Sequence, residues 1–113
     1  MMYDPDTPRG SGWWHWVVFD ILAITNEFVS IAGYGSRKLV PENVIQSTTG
    51  YGSKGYRGPC PPKDHGLHEC IISGHALTTE TFGLDENTNP SFIRHYRCNN
   101  TLAKTSIIVY YQR

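Results

Sequence analysis

From Trp13 to Ile24 the chain is dominated by aromatic and β-branched residues and has few polar positions. Such a run predicts a strand buried on both faces. His68 to Leu77 predicts a second strand. Period two sets His68, Cys70, Ile72, Gly74 and Ala76 on one face, and Glu69, Ile71, Ser73, His75 and Leu77 on the other. At Asn89-Pro90 the pattern changes: an N-cap residue is followed by proline in the first helical position. Phe92, Ile93 and Tyr96 then fall at helical spacing, and the helix is expected to fade near Asn99-Asn100. Ser106 to Tyr111 predicts a final strand. Met1 to Tyr3 reads as the stub of a strand, and Asp4 to Gly12 as a turn whose aspartates bond nearby amides. Thr25 to Gly66 is a long connection holding most of the glycines and prolines. Connections of that length in compact domains are usually functional. The fold class expected is mainly β with one short helix near the C-terminus.

Composition narrows the choice of function. The chain has 113 residues, enough for one domain, 1–113, with one modest core. Its formal net charge of zero argues against general nucleic-acid binding, which needs a basic surface. No apolar run approaches a membrane span. Met1 is followed at once by Asp4 and a turn, with no visible secretory signal, so a cytoplasmic location is expected. Cys60, Cys70 and Cys98 are odd in number and lack zinc-type spacing, and are expected to be reduced thiols.

The candidate chemistry lies in two proline-rich loops, each leading to a histidine on a predicted strand. The first is Asp4-Pro5-Asp6-Thr7-Pro8, leading to Trp13-Trp14-His15. The second is Gly58-Pro59-Cys60-Pro61-Pro62, leading to Gly66-Leu67-His68. Each proline fixes its own φ and restricts the residue before it, so such loops are stiff. Stiff loops beside imidazoles and carboxylates suggest a preformed pocket, in which little must be ordered when a ligand arrives. Each residue also has a plain structural reading. An isolated histidine between tryptophans is more often a satisfied core residue. Asp4 and Asp6 form turns, Trp13 packs, and a prolyl run merely ends a loop. In the functional reading the imidazoles meet a phosphate, donating or accepting according to protonation. Asp4 pairs with a cationic group or fixes a histidine tautomer. The amides of Gly58 and Cys60 remain as donors among the prolines.

Other motifs carry less. Gly50-Tyr51-Gly52-Ser53-Lys54-Gly55 spells the dinucleotide fingerprint, but Tyr56-Arg57-Gly58-Pro59 follows it where a helix is required. His65, His75 and His95 look scattered, with no His-x-x-x-His pair on the helix, so no metal site is expected. No serine sits in a nucleophile elbow. Asn99-Asn100-Thr101 is a glycosylation sequon by spelling alone.

Asp-Pro-Asp-x-Pro, His-Trp-Val, Gly-Pro-x-Pro-Pro and Gly-x-His, in that order, resemble the phosphatidylethanolamine-binding protein family, in its bacterial and archaeal Raf-kinase-inhibitor-like branch. The resemblance implies a β-sandwich whose N-terminal strands are missing here. It also implies one small anion pocket around Asp4, Asp6, Trp13, His15, Gly58, Pro59, Cys60, Pro61, Pro62 and His68. Members commonly follow the strand histidine with a basic residue and an aromatic, where this chain has Glu69 and Cys70. The function expected is non-enzymatic binding of phosphate-type anions or phospholipid headgroups. A regulatory role toward a protein partner such as a kinase or protease goes with it, and no cofactor. The alternatives are a hydrolase using Asp–His pairs, or a degenerate, truncated member without function. Missing strands would leave an open sheet edge, so a homodimer is expected.

Overall fold

The computed structural model describes residues 1–113. It contains six strands and one α-helix: β1 (Met2–Asp4), β2 (Trp13–Trp16), β3 (Val18–Phe19), β4 (Ile45–Gln46), β5 (His68–Leu77), α1 (Pro90–Asn100) and β6 (Thr101–Tyr111). Four strands form one antiparallel sheet in the order β2-β1-β5-β6, and β3 pairs with β4 in a second, two-stranded sheet. The expected mainly β fold with one helix is present.

The central strand has the predicted bounds, His68 to Leu77. It pairs β1 on one side, with Tyr3 opposite Ile71, and β6 along its whole length on the other. β1 turns into β2 through the aspartate–proline segment. Gly12 closes that turn with φ +64°, where its amide donates to the Arg9 carbonyl, and a Cβ there would strike the Tyr3 ring.

The first apolar run departs from expectation. It is not one strand to Ile24 but two short ones, and the chain passes from the large sheet to the small one at Val17. His15, Val17 and Phe19 are buried in strict alternation, while their neighbours are half-exposed, so only one face is covered. The strand ends at Asp20, whose backbone is left-handed (φ 56°) and whose carboxylate accepts from the Phe82 amide at 2.9 Å. Ile21 to Ile24 lie outside any strand, with Ile24 82% exposed. The long connection also holds a 3₁₀ turn at Gly35–Arg37 and the strand β4.

The helix begins as its sequence dictates. Asn89 Oδ1 accepts from the Ser91 amide at 2.8 Å, and Pro90 occupies the first turn. Ile93 is fully buried, but Phe92 is 49% exposed and does not share that inward position. The final strand starts five residues earlier than its apolar signal, at Thr101, with no loop after the helix. Most of its residues are exposed, including Leu102, Ile107, Ile108 and Tyr110.

The core is small: Val17, Phe19, Phe82 and Ile93, with Phe19 and Phe82 stacked at 5.8 Å between centroids. Ile93 is the only helix residue in it, so it ties α1 to the sheets. Ile93→Ala is expected to destabilise the fold by about 2–5 kcal/mol. Urea unfolding checks this, and an unchanged midpoint would show that the helix is not anchored there.

Candidate functional site

β1, β2 and β5 lie side by side in the large sheet, and each contributes one nearly inaccessible polar residue: Asp4, His15 and His68. Asp4 is at the end of β1, His68 at the start of the antiparallel β5, and His15 in the middle of β2, so all three fall at one end of the sheet.

Asp4 is the junction. Its Oδ1 accepts from the Asp6 amide at 2.8 Å, which forms the turn. Its Oδ2 lies 2.8 Å from His68 Nδ1 and 3.9 Å from His15 Nε2. The carboxylate can only accept, so His68 carries its proton on Nδ1. His68 Nε2 is met by His65 Nδ1 at 2.9 Å, which completes a chain from solvent through His65 and His68 to Asp4. His65 is therefore part of the constellation and not one of a scattered set. Its signal in the sequence was proximity to His68 in a turn, which periodicity does not read.

His15 is held by the backbone of the second prolyl loop. Its Nδ1 lies 3.0 Å from the Arg57 carbonyl, and the Arg57 amide donates to the His15 carbonyl at 3.0 Å. A carbonyl only accepts, so the His15 proton is on Nδ1. In the neutral ring Nε2 is then a bare lone pair, and it has no hydrogen-bond partner in the protein. Burial holds the His15 imidazole below its ordinary range; the Arg57 carbonyl and Asp4 oppose that effect without overcoming it.

The remaining expected residues have mixed roles. Asp6 is exposed, and its Oδ2 accepts from the Glu69 amide at 2.8 Å, so it fastens the first loop to β5. Trp13 packs edge-on against Tyr51 (5.2 Å) with the Arg9 guanidinium over its ring. A Cβ on Gly50 would overlap the Trp13 indole at 2.6 Å, so this contact requires glycine at 50. Gly58 O accepts from the Tyr51 hydroxyl at 3.1 Å. Pro61 is buried, while Cys60 and Pro62 are exposed. Cys60 Sγ takes a hydrogen bond from Arg113 Nη1 at 2.8 Å. Pro59 lines a mostly apolar cavity of about 680 Å³ beneath β6, together with Trp16, Tyr56 and Ile72. Neither that cavity nor a second one of about 570 Å³ is lined by Asp4, His15 or His68.

Two further residues belong here. Tyr51, from the segment that spells the dinucleotide fingerprint, lies 5.9 Å from the His15 ring with the Arg57 guanidinium over its face. Burial raises its hydroxyl above the usual phenol range. Cys70, two residues along β5 from His68, is fully buried. Burial and the Asp4 and Asp6 carboxylates push its thiol up to about 11.

Residues 1–112 match the family model for phosphatidylethanolamine-binding proteins. The chain belongs to the phosphatidylethanolamine-binding protein family. It is 41% identical over 106 residues to the UPF0098 protein YbhB of Escherichia coli (strain K12), covering 93% of this chain and 65% of that one. It is 33% identical over 111 residues to YbcL of the same organism, covering 98% and 61%. The crystal structure of Escherichia coli YbcL, described as a new member of the mammalian family, superposes with a TM-score of 0.95 over 99% of this chain and 68% of that one. CT736 of Chlamydia trachomatis shares the fold, with a TM-score of 0.79 at 20% identity. The chain thus spans 65% and 61% of the lengths of YbhB and YbcL. For a member of this family, the Asp-Pro-Asp and Gly-x-His motifs acquire a concrete meaning: they are the two ends of the Asp4–His68 contact.

Asp4→Asn is expected to cost about 1–3 kcal/mol, because a buried histidine loses its charged acceptor. The denaturation midpoint measures this. An unchanged midpoint would show that Asp4 does not hold His68.

Proposed function

We propose that the chain binds small phosphate-bearing ligands, free or as a phospholipid headgroup, without turning them over. One observation carries the reading: a single buried carboxylate holds His68 by a hydrogen bond and faces the unpartnered nitrogen of His15. Membership of a family named for binding phosphatidylethanolamine supports the same ligand class. The two prolyl loops hold the imidazoles before any ligand arrives, which lowers the entropic cost of binding. A neutral His15 accepts the proton of a singly ionised phosphate, and an imidazolium donates to the dianion. His65 covers the outer nitrogen of His68, so a ligand reaching His68 displaces that ring.

The test is titration with inorganic phosphate and, separately, with phosphoethanolamine, following the histidine ring signals by NMR. Both His15 and His68 are expected to shift at millimolar ligand. His68→Gln should weaken binding about 10–100-fold, the loss of one or two hydrogen bonds. Rings that stay silent at millimolar ligand would contradict the proposal. The His65–His68–Asp4 chain also suits acid–base chemistry. Turnover of a phosphoester panel, abolished by His68→Gln, would assign the site to hydrolysis instead.

We further infer that two copies associate through β6. This strand lies at the edge of the large sheet, spans eleven residues and exposes apolar side chains on both faces. Such an edge is a template for another strand, and antiparallel self-pairing is compatible with a two-fold axis. Light scattering is expected to give a dimer that Ile107→Lys converts to monomer. A well-folded monomeric parent would contradict this.

A further inference from the structure

Three donor atoms from three strands converge at the buried end of the large sheet. They are a ring nitrogen of His15 on β2, a carboxylate oxygen of Asp4 on β1 and Cys70 Sγ on β5, all within 4.8 Å of one another, and His15 Nε2 lies 3.9 Å from Asp4 Oδ2. All three residues are buried, with exposures of 2%, 2% and 0%. The His15 tautomer is fixed by the Arg57 carbonyl, so Nε2 presents a lone pair to the cluster. The Asp4 oxygen presents lone pairs as well. No hydrogen bond, from Cys70 or elsewhere, reaches His15 Nε2. The lone pair of His15 Nε2 therefore faces an Asp4 carboxylate oxygen at 3.9 Å inside the protein. A buried lone pair left in this way is costly, and a cation placed among the three atoms removes the cost.

We propose that Asp4, His15 and Cys70 form a site for one divalent cation of the Zn²⁺ type, with one coordination position open. The donor set selects the metal. Cys70 binds as thiolate and releases its thiol proton to solvent when the metal enters; thiolate, imidazole and carboxylate together suit Zn²⁺ or Co²⁺, whereas Mg²⁺ and Ca²⁺ take oxygen ligands. Bonds of about 2.0–2.3 Å place tetrahedral donors roughly 3.3–3.7 Å apart, so the three atoms need to close by at most about 1–1.5 Å. The supporting shell is already built. His15 Nδ1 donates to the Arg57 carbonyl, and Asp4 receives hydrogen bonds from His68 and from the Asp6 amide. Such partners orient ligands and raise their basicity. Three protein ligands leave the fourth position for water or a ligand oxygen. Spacing along the chain conceals the site, since its ligands come from separate strands, and Cys70 stands where the family commonly has an aromatic. The cation and a phosphate proton compete for the one lone pair of His15 Nε2, so the metal site is tested in phosphate-free buffer.

The test uses metal-stripped protein carrying Cys60→Ser and Cys98→Ser, which removes the two exposed thiols. Titration with Co²⁺ is expected to give one equivalent bound, with a near-ultraviolet thiolate charge-transfer band and the visible bands of a four-coordinate site. Zn²⁺ should displace it, and Mg²⁺ should not. Adding Cys70→Ser should abolish the band and weaken Zn²⁺ binding at least about tenfold, and His15→Gln should weaken it similarly. Absence of the band, or Zn²⁺ affinity unchanged by Cys70→Ser, would overturn the proposal. X-ray absorption of the Zn²⁺-loaded protein needs no further variant. One sulfur neighbour is expected, and a shell of nitrogen and oxygen alone would also overturn it.

Discussion

Asp4 is the constraint on which this end of the molecule depends. A buried carboxylate must be paired or hydrogen-bonded to remain charged. Asp4 meets that requirement with the Asp6 amide on one oxygen and His68 on the other. Those two bonds fix the turn after β1 and the orientation of a histidine on β5. The register of the sheet brings His15 to the same oxygen. The prolyl loop then closes over His15 through the Arg57 backbone. Sheet pairing, loop rigidity and site geometry are thus one arrangement.

Much of this was legible in the sequence, and the reasons differ by element. His68–Leu77 and the helix start at Asn89-Pro90 were read correctly because period and cap chemistry are local. The end of the first strand was not, because it depends on Asp20 bonding to Phe82, sixty-two residues away. β4 has two residues and no pattern of its own; it exists because β3 pairs with it. β6 was read only where it is apolar, whereas β5 extends it back to Thr101 through backbone pairing. Within the site, the motifs pointed to Asp4, His15 and His68. His65, Tyr51 and Cys70 were visible in the sequence, but not their places beside His68, His15 and Asp4, because those arise from tertiary proximity and not from spacing.

The electrostatics are more particular than a generic anion pocket. His15 offers a lone pair and Asp4 a negative charge, while Cys70 replaces the aromatic that the family commonly carries at that position. The inner part of the cluster is therefore rich in electrons. His68 directs its Nδ1 proton to Asp4 and His15 directs its own to the Arg57 carbonyl, so a side-chain acceptor sets one tautomer and a backbone acceptor the other.

The tautomers can be read directly. Long-range ¹H–¹⁵N NMR of the imidazoles at neutral pH distinguishes a protonated nitrogen from a bare one. The account predicts that His15 is neutral, with its proton on Nδ1 and a bare Nε2, and that His68 carries a proton on Nδ1. A His15 ring protonated on Nε2 would contradict it.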